Sequence, residues 1–302
     1  MLTQNDLNTD SGCPTCVTIG KFDGVHRGHQ MLVRRTVEAA RAMESESPAK
    51  AVLIAFDARG ESLLTKKERR RMLEDMGIDL LIECPLGPEI FHMEAEDFAE
   101  KILFGRLHAK RVVVGEDFHF GFGRKGTPAL LQKVGERCGF VTEPIPDLMD
   151  GSQKISSTVI RSELKSGHME RVEELLGYPY YMTGPVVHGN ERGRTIGIPT
   201  ANILPGEGKM LPPFGVYTSV AAIGGRQLTG MTDIGTKPTV GGTRIGVETY
   251  FHDFSGNLYG RRIKVALKHF TRPEEKFASF EDLHRQLLKD KAESRAYFHL
   301  DF

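Results

Sequence analysis

The sequence has no surplus of charge of either sign: Lys plus Arg and Asp plus Glu each number 40 in 302 residues. Without a basic excess it lacks the electrostatic footprint of a general nucleic-acid binder or a polybasic membrane protein, and neither partner is expected. The few local basic patches that phosphate chemistry needs stay open. No apolar run approaches the ~20 residues that span a bilayer. The opening MLTQNDLNTDSG is polar and lacks the charged-then-apolar order of a secretion signal. Four cysteines are too few for a disulfide framework in a chain of this length. Cys13 and Cys16 form a lone CPTC; zinc needs a second ligand pair, and Cys84 and Cys138 stand apart. There is no internal repeat and no low-complexity segment. These absences point to a soluble, cytoplasmic protein, and the length accommodates two cores; a monomer or weak homo-oligomer is expected.

What is present falls into two textures. The first half alternates apolar runs, VTIG (17–20), AVLIAF (51–56), IDLLIEC (78–84), RVVVG (111–115) and FVTEPI (140–145), with helical periodicity over 28–44, 93–107 and 127–137. Thr65 to Glu68 is a capping box that opens a further helix. Strands apolar on both faces, alternating with helices, predict a parallel α/β sheet covered on both sides, whose ligands bind beyond the carboxyl ends of the strands. The strand ends leading into 20–29 and 115–126 are therefore the places for a site. From about 183 onward, short β-branched runs are separated by glycine-rich turns, including the hairpin pair Gly224-Gly225, with one closing helix at about 280–296. This predicts a small antiparallel barrel. The expected organisation is an N-terminal domain over 1–182 and a C-terminal domain over 183–302.

GKFDGVHRGHQ (20–30) places two histidines three residues apart where a strand turns into a helix. His26 and His29 at such a helix start suit hydrogen-bond donation to phosphate oxygens, where charge grows during displacement at phosphorus. A metal pair completed by Asp23, or a plain surface turn, are the alternatives on residue chemistry alone. KISSTVIRSEL (154–164) brings three hydroxyls and an arginine into a helix start. They serve as caps, or as a pocket for departing pyrophosphate to which Arg161 offers a planar fork.

A G-x-FDGVHxGH turn early in an α/β domain with ISSTxIR at its end resembles nucleotidyltransferases of the HxGH type. It is most similar to the FAD synthetase module of the bacterial bifunctional riboflavin kinase/FAD synthetase family, and GEDFHFGFGRKG (115–126) matches that family's third stretch. The resemblance implies that His26 and His29 stabilise the transition state at the α-phosphate of ATP. It implies that Ser156, Ser157, Thr158 and Arg161 hold the outgoing phosphates, with Gly20, Phe22, Asp23 and Gly28 shaping the nucleotide site. Gly121, Gly123 and Gly126 spell a dinucleotide fingerprint, yet they follow the fourth candidate strand rather than the first, and a P-loop would need lysine where Thr127 stands. The stretch reads instead as a flexible loop over nucleotide or flavin, in which Asp117 and Phe118 support a flavin pocket or simply pack.

GPVVHGNERGRTIGIPTANI (184–203) combines glycines that admit phosphate to the backbone with Arg192 and Arg194. Thr200 and Asn202, two positions apart in an extended segment, put hard oxygens on one side, suited to magnesium on nucleotide phosphates. Singly, each also reads as a turn or strand-edge hydrogen-bonder. The whole line resembles the riboflavin kinase signature, and the agreement continues through GVY (215–217), IGTKPTVGG (234–242), VETYFHDF (247–254), LYG (258–260) and RPEEKF (272–277). The resemblance implies that Gly189, Arg192, Gly193 and Arg194 bind nucleotide phosphate, that Thr200 and Asn202 hold Mg2+, and that Glu248 is general base on the ribityl 5′-hydroxyl. Arg272 is placed at the flavin or nucleotide pocket. From the strand pattern alone Glu248 would read as an outward-facing acid.

The expected activity is therefore double, with small-molecule substrates throughout: riboflavin and ATP to FMN, then FMN and ATP to FAD and pyrophosphate. Two departures bear on the second step. Lys21 stands where the family has Asn, and the strand end Phe56-Asp57-Ala58-Arg59-Gly60 lacks the family's Pro-His-Pro. Arg59 takes over a phosphate or flavin contact, or the adenylyltransferase is weakened. Ile198 for Phe and Lys237 for Arg are milder changes. The alternatives are a riboflavin kinase with altered N-terminal chemistry and a non-catalytic flavin-binding regulator.

Overall fold

The computed structural model describes residues 1–43, 48–56, 60–84, 92–189, 197–239 and 242–300, and of 237–239 and 242–244 the backbone alone. By compactness the chain divides into Met1–Ser157 and Thr158–Phe302.

The first unit is a six-stranded sheet in the order β1-β4-β3-β2-β5-β6, with every neighbouring pair parallel. Its strands are β1 (Leu2–Gln4), β2 (Thr15–Gly20), β3 (Lys50–Phe56), β4 (Leu80–Cys84), β5 (Ala109–Gly115) and β6 (Val141–Ile145). The runs with β-branched and aliphatic residues at every position are the central strands: Val17, Val52, Ile54, Ile82 and Val112 are all closed to solvent. Helix α1 (Arg27–Met43) follows β2, and α2 (Lys66–Asp75) opens on the expected capping box, with Thr65 and Glu68 each accepting from the other's backbone. Strand β1 is unforeseen. Its short polar LTQ has no strand periodicity, yet it pairs with Leu80–Ile82 at the sheet edge.

The helix expected over 93–107 begins as Ala95–Asp97 and widens into α3 (Phe98–Arg106), a nine-residue helix of π type. Leu107 N–H closes onto Ile102, five residues back. The buried set Phe98, Ala99, Ile102, Leu103 and Leu107 recurs at intervals of four and five, which a wider turn aligns on one face better than 3.6 residues per turn. Helix α4 (Pro128–Cys138) starts on the Thr127 cap, with proline in its first turn.

Strand β2 pairs with β3 on one side and β5 on the other. The chain order reverses between β2 and β5, and such a reversal opens a crevice at the carboxyl ends of those two strands. The segments 20–29 and 115–126 leave from those ends. A small hairpin, β7 (Met149–Asp150) and β8 (Gln153–Lys154), completes the unit.

In the second unit, α5 (Ser157–Lys165) and α6 (Met169–Leu176) precede a closed antiparallel barrel. The barrel is built from β9 (Tyr181–Val187), β10 (Thr200–Ile203), β11 (Gly215–Ile223), β12 (Arg226–Thr239), β13 (Gly242–Phe251) and β14 (Arg262–Pro273), in the order β10-β13-β12-β11-β14-β9. Gly224 and Gly225 turn β11 into β12 at φ 59° and 78°, the left-handed backbone that a two-residue hairpin demands. Residues 158–180, before the barrel's first strand, belong with this second unit, and α6 docks on β14 through Glu173 with Lys268 and Glu170 with His269.

Strand alternation separates two barrel faces. Thr232, Thr249 and Ser219 point inward and bond one another, Thr232 to Ser219 at 2.7 Å and to Thr249 at 2.9 Å. Their neighbours Met231, Tyr250 and Val216 point outward and form an apolar cluster with Ile198, against which Leu287 of α7 (Phe280–Tyr297) packs. The two residues that α7 buries are both polar, Asp290 and Ser294. Asp290 accepts from Arg272 Nε at 2.9 Å and Nη2 at 2.7 Å, and from Gln286 at 2.9 Å. Removing one member of a buried pair strands the other charge, at a cost of about 3–5 kcal/mol. Asp290→Ala is expected to lower the stability of the second unit by that amount, read as a fall in the urea midpoint, with Asp290→Asn losing less.

Ser294 takes a bond from His252 Nε2 at 2.9 Å and gives one to Gly230 O at 2.9 Å. Burial first, and then the charges of Arg295 and Lys291, lower the His252 imidazole from 6.5 to about 4. The fold thus holds this ring neutral, while the unfolded chain takes up a proton near 6.5. Stability is full above pH 6.5 and is lost as pH falls through the window down to about 4. Between pH 7 and 5.5 this one group contributes a loss on the order of 1 kcal/mol. His252→Gln should flatten the pH dependence of the urea midpoint by that much.

Candidate active sites

At the end of β2 the backbone makes a tight left-handed course. Phe22 and Val25 take φ 48° and 39° around Gly24 at 81°, and both side chains are fully buried. A buried β-branched residue in this region is strained and is held there by its packing. Asp23 fixes the turn: its Oδ1 accepts from Leu63 N–H at 2.8 Å and its carbonyl accepts from Ser157 Oγ at 2.8 Å.

Helix α1 then begins with His26 at its head. The His29 N–H points at His26 Nδ1 at 3.4 Å, so that nitrogen acts as acceptor and leaves the proton on Nε2. The two imidazoles stack at 3.7 Å and 24°, and Phe22 lies 4.9 Å from the His29 ring. A side chain at Gly28 would press on the His26 ring at 3.3 Å. Desolvation, with Lys154 adding repulsion, lowers His26 from 6.5 to about 4. His29 is held well below 6.5 by burial, then by His26 and Lys154, and its Nδ1 is buried with no partner among the described residues. Both rings are therefore held neutral near pH 7. The His26 Nδ1 lone pair is taken by the His29 N–H, and Asp23 is engaged by the Leu63 N–H. Among the described residues no group of three His, Cys, Asp or Glu is placed to hold a metal.

Lys154 on β8 is bound by Asp117 and, at 2.7 Å, by Asp147. Asp117, expected at a flavin pocket, is thus engaged in this ionic cluster. Phe118 stacks on Phe120 at 5.4 Å and packs against the core of the first unit. The 115–126 loop closes through a bridge between Phe120 and Gly126. Its glycines answer to packing: a Cβ at 121 would stand 2.7 Å from Ala95, and one at 126 would stand 2.6 Å from the Phe120 ring. These contacts account for Gly121 and Gly126, and a left-handed φ of 63° accounts for Gly123. Lys154 carried no signal in the sequence beyond its place before Ile155-Ser156-Ser157.

Ser157 and Thr158 open α5, with Ser156 just before it. Arg161, one turn on, directs Nη1 toward Met210 Sδ at 3.7 Å. Arg59 lies outside the described residues, as do Arg192, Gly193 and Arg194.

On the barrel, β10 and β13 pair so that Asn202 faces Glu248 and Thr200 faces Tyr250. Thr200 Oγ1 lies 3.5 Å from Glu248 Oε2. Thr200, Asn202 and Glu248 therefore share the outer face, and Glu248 is half-buried there. Gly189 completes the group, since any Cβ at that position would overlap the Asn202 amide. Beside Thr200 lies a cleft of about 610 Å³, walled by Pro199, Phe251, Phe254, Leu258 and Tyr259. His188 stacks on Tyr259 at 3.8 Å. Arg272, expected at the ligand pocket, is bound to Asp290. The sequence offered no cue to that pairing, because the two residues are brought together by docking of α7.

Residues 9–159 match the FAD synthetase family and residues 176–298 the riboflavin kinase family. A bifunctional riboflavin kinase/FMN adenylyltransferase of Escherichia coli (strain K12) is 38% identical over 296 residues, covering 96% of this chain and 94% of that protein. Its counterpart from Haemophilus influenzae is 36% identical, covering 95% and 94%. A crystal structure from Streptococcus pneumoniae, described as a macrolide-efflux protein, matches at TM-score 0.84 and 29% identity over 98% of this chain and 99% of its own. No helix among the described residues is long and apolar enough to cross a membrane. With both family domains in order along the chain and full-length likeness to proteins that carry both, the chain belongs to the bifunctional riboflavin kinase/FMN adenylyltransferase family.

Proposed function

We propose that the barrel transfers the γ-phosphate of ATP to riboflavin, and that the N-terminal sheet domain transfers AMP from a second ATP to the FMN so made, releasing pyrophosphate. The observation that carries the first half is the register placing Asn202 opposite Glu248, with the Thr200 hydroxyl 3.5 Å from its carboxylate. Glu248 orients the 5′-hydroxyl and accepts its proton as the oxygen attacks phosphorus. The Thr200 hydroxyl and the oxygen of the Asn202 amide, a group for which Gly189 leaves space, suit a hard cation that takes most of its ligands from phosphate and water. Magnesium held by these two would neutralise charge on the transferring phosphates. The 610 Å³ cleft beside Thr200 is large enough for a nucleotide, and its aromatic walls suit a base.

In the N-terminal domain, neutral His26 and His29 donate N–H bonds to α-phosphate oxygens as negative charge builds there. Ser156, Ser157, Thr158 and Arg161 hold the outgoing pyrophosphate. The work belongs in the cytoplasm, where ATP is supplied. A second reading, kinase activity alone, is favoured by one observation, the missing Pro-His-Pro at 58–60.

Riboflavin, ATP and magnesium incubated with the full chain, with flavins separated over time, tests both halves. FMN rising first and then giving way to FAD is expected. FMN accumulating with no FAD, even when FMN is supplied directly, would leave the kinase alone.

A further inference from the structure

The β10–β13 and β12–β13 registers together set Asn202, Glu248 and Asp233 in one row across three neighbouring strands, because Glu248 is the direct partner of both. Directly opposed residues in antiparallel strands point to the same face, so Asp233 shares the outer face with Glu248. The row continues through Val216 to Arg272. Like charges directly opposed across a ladder destabilise it, so a carboxylate facing a carboxylate calls for a reason. Arg272 is one: Asp233 is among the charges that stabilise its guanidinium, which Asp290 binds through Nε and Nη2. Asp233 is half-buried, which keeps it within reach of a ligand.

We propose that Asp233 is a specificity residue of the kinase site, accepting hydrogen bonds from a ribityl hydroxyl other than the one phosphorylated. The inference rests on the kinase reading above. With the 5′-hydroxyl at Glu248, a polyol chain lying across the ladder brings another hydroxyl to β12, one strand spacing of about 4.8 Å away. An ionised carboxylate there has acceptor capacity only, so it favours a neighbouring hydroxyl and gains nothing from a methylene in its place. Arg272, bound by Asp290, acts on this carboxylate through its charge and is a positioning residue. The row thus distinguishes a polyhydroxylated side chain from a deoxygenated one at a point remote from the transferred phosphate.

The test is kinase turnover by the full chain with riboflavin and with three analogues, each lacking one ribityl hydroxyl at 2′, 3′ or 4′. Asp233→Ala is expected to raise KM for riboflavin at least tenfold, with kcat changed less than threefold. For one of the analogues, wild type and variant should have equal KM, because the missing hydroxyl has already removed the contact. Asp233→Asn, nearly the same size and still an acceptor, should recover part of the loss and shows that the fold is intact. Direct riboflavin binding, followed by flavin fluorescence, should weaken in parallel with KM. An unchanged riboflavin KM in Asp233→Ala, or an equal rise for all three analogues, overturns the assignment while the kinase reading stands. Failure of the wild type to phosphorylate riboflavin overturns the kinase reading, and this assignment with it.

Discussion

Glu248→Gln is expected to slow FMN formation by about 10²–10⁴-fold while FAD formation from supplied FMN proceeds at the wild-type rate. Glutamine keeps the volume of the side chain and can still accept a bond from the Thr200 hydroxyl 3.5 Å away. What it loses is the capacity to take a proton. The loss should fall on kcat, with KM for riboflavin nearly unchanged, because an interaction made chiefly in the transition state was removed. The unaltered FAD arm serves as an internal control on folding of the first unit. Turnover within a few-fold of wild type would remove Glu248 from the reaction and return it to an outward-facing strand acid.

The complementary experiment acts on the other domain. His26→Ala and His29→Ala should each reduce FAD formation from FMN by about 10²–10³-fold, the range found when one donor to a developing oxyanion is deleted. Riboflavin phosphorylation should be untouched. The two substitutions together should cost much less than the product of the single effects, because the rings stack at 3.7 Å and His26 Nδ1 faces the His29 backbone. Since both rings are neutral well below pH 7, FAD synthesis should show no loss between pH 6.5 and 8 attributable to their deprotonation. A steep fall over that interval that disappears in His26→Ala would show that an imidazolium is needed.

Much of this was legible in the chain itself. The all-apolar strands announced a parallel sheet, and the Gly224-Gly225 turn announced a hairpin. The histidine pair stood out because local order, a strand ending in glycine followed by a helix start, can be read residue by residue. What escaped depends on partners distant in sequence. The edge strand Leu2–Gln4 has no pattern of its own and exists because β4 offers an open edge. The π pitch of α3 answers to the core it covers rather than to its own composition. The pairing of Arg272 with Asp290 depends on where α7 docks, and Asp233 acquires meaning only through its register with Glu248, 15 residues on in sequence. The glycines of 121–126 spell a cofactor motif, yet crowding against Ala95 and Phe120 gives Gly121 and Gly126 a local cause, and a left-handed φ of 63° gives Gly123 another.

The strained turn that precedes α1 has a consequence for how variants of this protein are judged. Val25 gains about 1.5–3 kcal/mol by complete burial, and its left-handed backbone costs about 1–3 kcal/mol. A glycine there forfeits the first and recovers the second, so the two nearly cancel. Surveys that rank substitutions by yield or melting temperature would record this position as tolerant. Only a selection that demands FAD would register that the lever setting the pitch of the histidine pair had gone slack.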